Sequence, residues 1–205
     1  MSGLFITVEG TEGAGKTTNL DFVEQDLVRR GGRVVRTREP GGTELAEAIR
    51  QLLLQPRSEV VTPIGELLLM FAARAQHLKN VIKPALKSGA WVLCDRFTDA
   101  TYAYQGGGRG MSADIIRVLE DLVHPDLQPD LTFYLDVSIA VGRQRISDRA
   151  HDRIEQEEVN FFERVREVYL QRCHKLPRFE LINAEKPLLE VQQELSQKLD
   201  GFFNA

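Results

Sequence analysis

The sequence predicts an α/β protein with a five-stranded, mostly parallel sheet and helices on both faces. Three observations carry that expectation. Short β-branched runs alternate with longer helical stretches along the whole chain, which requires crossover connections and hence parallel strands covered on both sides. A glycine-rich turn, Gly10 to Thr17, separates the first such run from the first helical stretch. The chain has 205 residues and is 42% hydrophobic, enough for one core, and this fits a single domain over residues 1–205 better than two.

Taken in order, Leu4-Phe5-Ile6-Thr7-Val8-Glu9 is apolar and β-branched and reads as a strand ending at Gly10. A helix is expected from Lys16 to Arg30, stopped by Gly31-Gly32. Arg33 to Arg38 reads as a second strand, halted at Pro40-Gly41-Gly42. Thr43 then opens a helix with Leu45, Ala46, Ile49, Leu52 and Leu53 on one side. Thr62 to Lys79 is a long apolar helix, expected to be buried on most sides or to meet another subunit, and Val81 to Ser88 is a separate shorter one. Trp91 to Asp95, Leu131 to Asp136 and Phe179 to Asn183 supply the remaining strands. Helices are expected near Asp114 to Val123, Ile139 to Arg149, Val159 to Cys173 and Leu188 to Phe203. Ligands of such sheets bind beyond the C-terminal strand ends, marked here by Glu9-Gly10, Glu39-Pro40, Asp95-Arg96 and Asp136.

Composition narrows the partners. The 26 basic and 30 acidic residues give a net charge of −4, so no basic excess points to nucleic acid. The longest apolar run, Leu67 to Ala73, is far short of the ~20 residues of a membrane span. Met1-Ser2-Gly3-Leu4 carries no basic leader, and Cys94 and Cys173 are expected to be reduced thiols, so the expected location is cytoplasmic. Arginine outnumbers lysine 19 to seven. A guanidinium is a rigid, always-charged fork suited to phosphate and carboxylate.

Gly10-Thr11-Glu12-Gly13-Ala14-Gly15-Lys16-Thr17 satisfies G-x-x-x-x-G-K-[ST], with Thr18 following. In this motif glycines let successive backbone N–H groups curl inward onto phosphate oxygens. Lysine reaches the β- and γ-phosphates, the hydroxyl at Thr17 coordinates Mg²⁺, and the following helix aims its positive end at the anion. The expected cofactor is therefore Mg²⁺, carried with ATP. No N-K-x-D guanine-reading motif is present, and the length leaves no room for a separate machine domain. A compact kinase remains. A kinase of a different nucleotide or nucleoside, or a regulatory module that binds nucleotide without turnover, shares the same loop. Asp95-Arg96, at a predicted strand end beside the loop, offers a carboxylate for Mg²⁺ and a guanidinium for an acceptor phosphate.

Four blocks, Gly10 to Thr17, Thr37-Arg38-Glu39-Pro40-Gly41-Gly42-Thr43, Asp95-Arg96-Phe97 and Ala103-Tyr104-Gln105-Gly106-Gly107-Gly108-Arg109-Gly110, together resemble the bacterial thymidylate kinases in order and spacing. The resemblance implies a P-loop kinase fold, Mg²⁺-dependent transfer of the ATP γ-phosphoryl to dTMP, and a homodimer built on long apolar helices. It also implies roles for particular residues. Glu12 would bond the acceptor 3′-hydroxyl. Glu39, Arg50, Arg74 and Arg96 would belong to the acceptor site. Thr101, Tyr104 and Gln105 would read the base edge and exclude a 2′-hydroxyl. Family members place an aromatic four residues before the helix arginine; here that position is Met70 and the aromatic is Phe71, and the sequence leaves open which of the two lines the base pocket. One class of the family carries an arginine in the slot that is Gly13 here. This chain resembles the class with arginines in a lid, over residues 143–155. Arg143, Arg145, Arg149 and Arg153 cluster there, and a four-residue spacing would align the last three on one helix face. With Lys16 and Arg96, Arg149 and Arg153 are the expected catalytic set, Arg149 first among the lid residues. The Glu39–Pro40 peptide is expected to be extended, and by resemblance cis.

Overall fold

The computed structural model describes residues 3–148 and 150–204. Its strands are β1 (Phe5–Gly10), β2 (Val34–Arg38), β3 (Trp91–Asp95), β4 (Leu131–Asp136) and β5 (Phe179–Asn183). They form one sheet in the order β2-β3-β1-β4-β5, and each neighbouring pair is parallel. The expectation of a mostly parallel sheet therefore holds for all five. Register puts Val8 and Arg38 level with Asp95, and Glu9 level with Tyr134, so the strands end together along one edge.

Alternation along β1 divides the core. Ile6 and Val8 pack with Leu20, Val23 and Leu27 of α1 (Lys16–Arg29) and with Leu195 and Leu199 of α9 (Leu188–Asn204). Phe5 faces the other way, among Leu78, Ile82, Val92, Cys94 and Phe97. A third cluster joins Tyr134 of β4 to Phe161, Val165 and Tyr169 of α8 (Val159–Lys175) and to Tyr104. All-buried strands of this kind show as unbroken apolar runs, which is why the sequence exposed them.

Three helices depart from expectation. α2 (Glu44–Leu54) packs on α3 (Pro63–His77) through a narrow stripe, Ala46, Ile49 and Leu53 against Ala73; Leu45 and Leu52 stay exposed. The two helices expected across residues 62–88 are one rod: α3 passes through a π-helical turn (Leu78–Ile82) into α4 (Lys83–Lys87). The wider turn carries the chain past Pro84, which has no N–H to continue the ordinary ladder. Ile64 and Leu68 leave α3 about half exposed on one side, so it is not buried on most sides. α7 (Ile139–Arg145) ends four residues before the expected stop. None of the described residues between it and α8 is helical, so Arg145 and Arg153 share no helix face. A short α5 (Thr98–Thr101) leads into a π-helical segment (Tyr102–Gly108), and α6 (Ala113–Val123) completes the set.

Candidate active site

The loop between β1 and α1 sits at the C-terminal edge of the sheet. Gly13 and Gly15 hold left-handed φ values of 75° and 78°, which turn the chain into the start of α1. At Gly13 a second constraint applies. A Cβ there would lie 2.1 Å from the carbonyl oxygen of Gly142 in α7, and one at Gly142 would lie 2.5 Å from the carbonyl oxygen of Glu12. The loop and α7 touch backbone to backbone, so no side chain, arginine included, can occupy position 13 without parting them. That gives a physical reason for the missing loop arginine.

A cavity of about 460 Å³ opens beside the loop. It is lined by Glu12 through Thr18, by Glu39, Pro40, Arg50 and Leu54, by Met70, by Asp95, Arg96, Ala100, Tyr104 and Gln105, and by Ile146, Asp152, Ile154 and Glu155. Most of the predicted residues thus converge on one space. Gly10 and Thr11 lie behind the loop; their carbonyl oxygens accept from the Lys16 ammonium at 3.0 and 3.3 Å. Burial, and after it the Arg96 guanidinium, push the Lys16 pKa down to about 8. Burial and the neighbouring Arg38 and Arg96 likewise lower Arg50, whose Nη1 donates to the Pro40 carbonyl. Arg96 thus lowers both Lys16 and Arg50, and three cations crowded into one cavity form a receptor for a polyanion.

Arg96 is placed by its backbone. It follows β3 with φ 67°, the one non-glycine residue at positive φ among the described residues, a conformation that costs about 1–3 kcal/mol and is typical of functional sites. Its Nη2 donates to the Gly10 carbonyl (3.1 Å), Glu12 Oε1 (2.9 Å) and the Tyr104 hydroxyl (3.0 Å). The Tyr104 hydroxyl in turn donates to the Glu12 carboxylate at 2.8–2.9 Å. The next residue is fixed by Glu9, whose Oε1 accepts from the Phe97 N–H (2.8 Å) and whose Oε2 accepts from the Tyr169 hydroxyl (2.7 Å). Burial and the nearby Asp99 push the Glu9 pKa up to about 8. The sequence marked Glu9 only as a strand end; its buried, acceptor-rich position depends on Tyr169, 160 residues away.

Arg74 is almost wholly buried, which a guanidinium tolerates only with partners. Nε donates to Glu39 Oε2 at 2.7 Å, and Nη2 donates to the Phe97 carbonyl (3.2 Å) and Thr101 Oγ1 (2.9 Å). His77 Nδ1 meets Glu39 Oε1 at 3.1 Å and its Nε2 meets Thr37 Oγ1 at 2.6 Å. Burial works to raise Glu39, but Arg74 and His77 outweigh it and hold its carboxyl low. The Glu39–Pro40 peptide is cis. Met70 reaches the cavity. Phe71 does not: it packs with Leu67 and Ile116, and its ring lies 4.9 Å beneath the Arg74 guanidinium. Thr101 also lies behind the cavity lining, on Arg74.

The arginines of residues 143–155 are dispersed. Arg143 donates to the Glu157 carbonyl, and Arg145 donates to the carbonyls of Gly13 (3.2 Å) and Ala184 (3.0 Å). Arg153 turns away from the cavity onto the Leu53 carbonyl (2.7 Å) and Glu66 Oε2 (2.5 Å). Arg149 lies outside the described residues. A second cavity of about 320 Å³ shares Gly13 to Gly15 with the first and is bounded by Arg145, Ala184, Lys186 and Leu188, none of which but Arg145 the sequence reading singled out. Ala184 and Lys186 follow β5 in a turn and Leu188 opens α9, with no motif to mark them.

Among the described residues, six side-chain polar atoms are buried without a partner, and four belong to this site: Arg74 Nη1, Asp95 Oδ1, Arg96 Nε and Gln105 Oε1. Each such atom costs about 1–3 kcal/mol, so their concentration here marks a site arranged for a ligand rather than for stability.

Residues 8–195 match the family model described as thymidylate kinase. The chain belongs to the thymidylate kinase family. It is 56% identical over 204 residues to a thymidylate kinase of Teredinibacter turnerae, covering 98% of this chain and 100% of that one. To a thymidylate kinase of Pseudomonas entomophila it is 57% identical over 203 residues, covering 98% and 97%. The crystal structure of thymidylate kinase from Ehrlichia chaffeensis superposes with a TM-score of 0.80 at 35% identity, covering 97% of this chain and 100% of that one. Membership of the family makes the chain an ATP-dependent nucleoside monophosphate kinase with the P-loop kinase fold. No helix among the described residues is long and apolar enough to cross a membrane.

Proposed function

We propose that this chain transfers the γ-phosphoryl group of ATP to dTMP, giving ADP and dTDP for DNA precursor synthesis, and that it does so in the cytoplasm, where its two free cysteines stay reduced. The observation that carries the reading is the single cavity in which Lys16, Arg50 and Arg96 face one another beside a glycine cradle at the start of α1. The loop N–H groups and Lys16 hold the donor phosphates, and the smaller cavity beside Arg145 and Lys186 takes the donor base. Arg96 and Arg50 hold the acceptor phosphate. Glu12, tied to Arg96 and Tyr104, receives the acceptor 3′-hydroxyl. Met70 and Gln105 surround the base, and Arg74, expected beside them, stands behind the cavity lining, held by Glu39 and Thr101.

Mg²⁺ fits the residues present: Asp95 Oδ1 is buried without a partner and Thr17 lines the same cavity. The Thr17 hydroxyl and the Asp95 carboxylate would hold it, and it would supply neutralising charge for the transferred phosphoryl group. Residues 143–155 act as a lid whose Asp152, Ile154 and Glu155 close over the acceptor. Arg149 is the lid residue we assign to the moving phosphoryl group. Arg153, expected beside it in catalysis, is read instead as an anchor, because its guanidinium is held by Glu66 and Leu53.

Exposed Ile64 and Leu68 on α3 stand beside exposed Ile115, Val118 and Leu122 on the neighbouring α6, an apolar face that a second copy of the chain would cover as a homodimer. The deciding experiment incubates the protein with ATP, Mg²⁺ and a panel of nucleoside monophosphates and nucleosides. Preferential conversion of dTMP to dTDP is expected. Preference for another acceptor, or binding without turnover, would overturn the assignment.

A further inference from the structure

Gln105 stands on the π-helical segment, lines the main cavity and is 1% exposed. Its Nε2 donates to Glu66 Oε1 at 2.9 Å, and its Oε1 is buried with no partner. The two ends of the amide are therefore not equivalent. A carboxylate only accepts, so an ionised Glu66 permits one orientation of this amide, the one that leaves Oε1 free. Turning the amide over would place two acceptors face to face in a buried site.

Glu66 is itself built to stay ionised. It is 1% exposed and lies on the same face of α3 as Met70 and Arg74, at four-residue intervals, yet it does not line the cavity. Arg109 donates to both its oxygens, from Nε at 3.2 Å and from Nη2 at 3.1 Å, and Arg153 donates to Oε2 at 2.5 Å. Burial works to raise its carboxyl, but these donors and Gln105 outweigh burial and hold it below the usual range. The carboxylate is fully committed to holding neighbours, and the neighbour that reaches the cavity is Gln105.

We infer that Glu66 is a positioning residue for base selectivity: by fixing the Gln105 amide with Oε1 as its free atom, it makes the acceptor site select a pyrimidine whose ring offers an N–H at position 3 and reject one that offers a lone pair there. The inference rests on the reading of the main cavity as the acceptor site. Thymine and uracil carry N3–H and pair with Oε1. Cytosine presents an N3 lone pair, which leaves Oε1 buried against a second acceptor. Sites built around a buried hydrogen-bonding group reject the wrong partner far more strongly than sites built from apolar contact.

The test compares kcat/KM for dTMP, dUMP, dCMP and N3-methyl-dTMP, with ATP and Mg²⁺, in the wild-type chain and in Glu66→Gln, Glu66→Asp, Gln105→Met and Glu66→Gln/Gln105→Met. In Glu66→Gln two amides face each other and either orientation pairs, so the dTMP:dCMP ratio and the penalty for N3-methylation should each fall by about 10- to 100-fold. Glu66→Asp keeps the charge that Arg109 and Arg153 need but withdraws it from Nε2, and it should lower the same ratio; it carries the test if Glu66→Gln does not fold. Adding Glu66→Gln to Gln105→Met should change the ratio no further. Unchanged ratios in the Glu66 variants that turn over dTMP would overturn the inference, as would a further loss in the double variant, which would give Glu66 a structural role independent of Gln105. A wild-type chain that does not prefer dTMP would instead overturn the acceptor assignment on which the inference stands.

Discussion

Lys16 holds a charge that its own site works to remove, and this has a measurable sign. With a pKa lowered to about 8 in the free protein, about nine in ten Lys16 side chains are neutral at pH 9, one unit above that value. ATP places phosphate oxygens where the ammonium now meets only the Gly10 and Thr11 carbonyls, so the bound complex restores the proton. Binding at pH 9 should take up close to ~0.9 proton, and ATP affinity should fall by about tenfold between pH 7 and pH 9. Lys16 is half-buried rather than enclosed, so solvent screening makes tenfold an upper figure. Titration calorimetry at pH 9 in two buffers of different ionisation enthalpy reads the uptake directly. The triphosphate is fully ionised there and contributes no proton of its own. Glu9 titrates in the same range, and Lys16→Arg is the control: a guanidinium stays charged, so only a small Glu9 contribution should survive. Heat independent of the buffer in the wild-type chain would mean that Lys16 is already charged without ATP, and the argument from burial would fail.

Lys16→Met should abolish phosphoryl transfer while leaving thermal unfolding within a few degrees of wild type, since the ammonium gives up only two loop-carbonyl bonds and its burial cost goes with it; near-normal turnover would refute the phosphate-cradle assignment. Glu9 has a folded pKa raised from 4.5 to about 8, so its stabilising contribution is fully present below pH 4.5 and is lost as the pH rises through 8. Stability should therefore decline over that window by up to about 1.4 kcal/mol per pH unit, and Glu9→Gln should flatten the decline in calorimetric scans. Arg149→Ala should lower kcat by roughly 10²- to 10⁴-fold with little change in the ATP KM, whereas Arg96→Ala should raise the dTMP KM as well. If Arg145→Ala or Arg153→Ala loses kcat while Arg149→Ala keeps it, the transition-state residue has been misassigned.

The centre of the sheet was legible because β1, β3 and β4 are buried on both faces and so appear as apolar runs between turn signals. The cradle was legible because its residues are consecutive. What sequence could not show is what long-range packing decides. Met70 and Phe71 are adjacent and equally apolar, and only the orientation of α3 against Ile116 sends Phe71 inward and Met70 to the cavity. Spacing of four made Arg145 and Arg153 look like one helical face, but the chain leaves helix at Arg145 and Arg153 is drawn to Glu66, 87 residues earlier. Nothing in the sequence marks Glu66, an acid in the first turn of an apolar helix. Its burial follows from three donors on two other segments, none of them near it in sequence.

The contact between Gly13 and Gly142 has an evolutionary reading. Where the loop lies on α7 with no space for a single methyl group, the two classes of this family cannot be neighbours by one substitution. A chain of this kind that acquired Gly13→Arg would lose the seat of its phosphate loop before it gained a new guanidinium. Passage to a loop arginine has to begin at α7, with a shift that separates the two backbones. Any chain on that path would combine a displaced α7 with a bare loop, and the order of changes is set by backbone clearance rather than by charge.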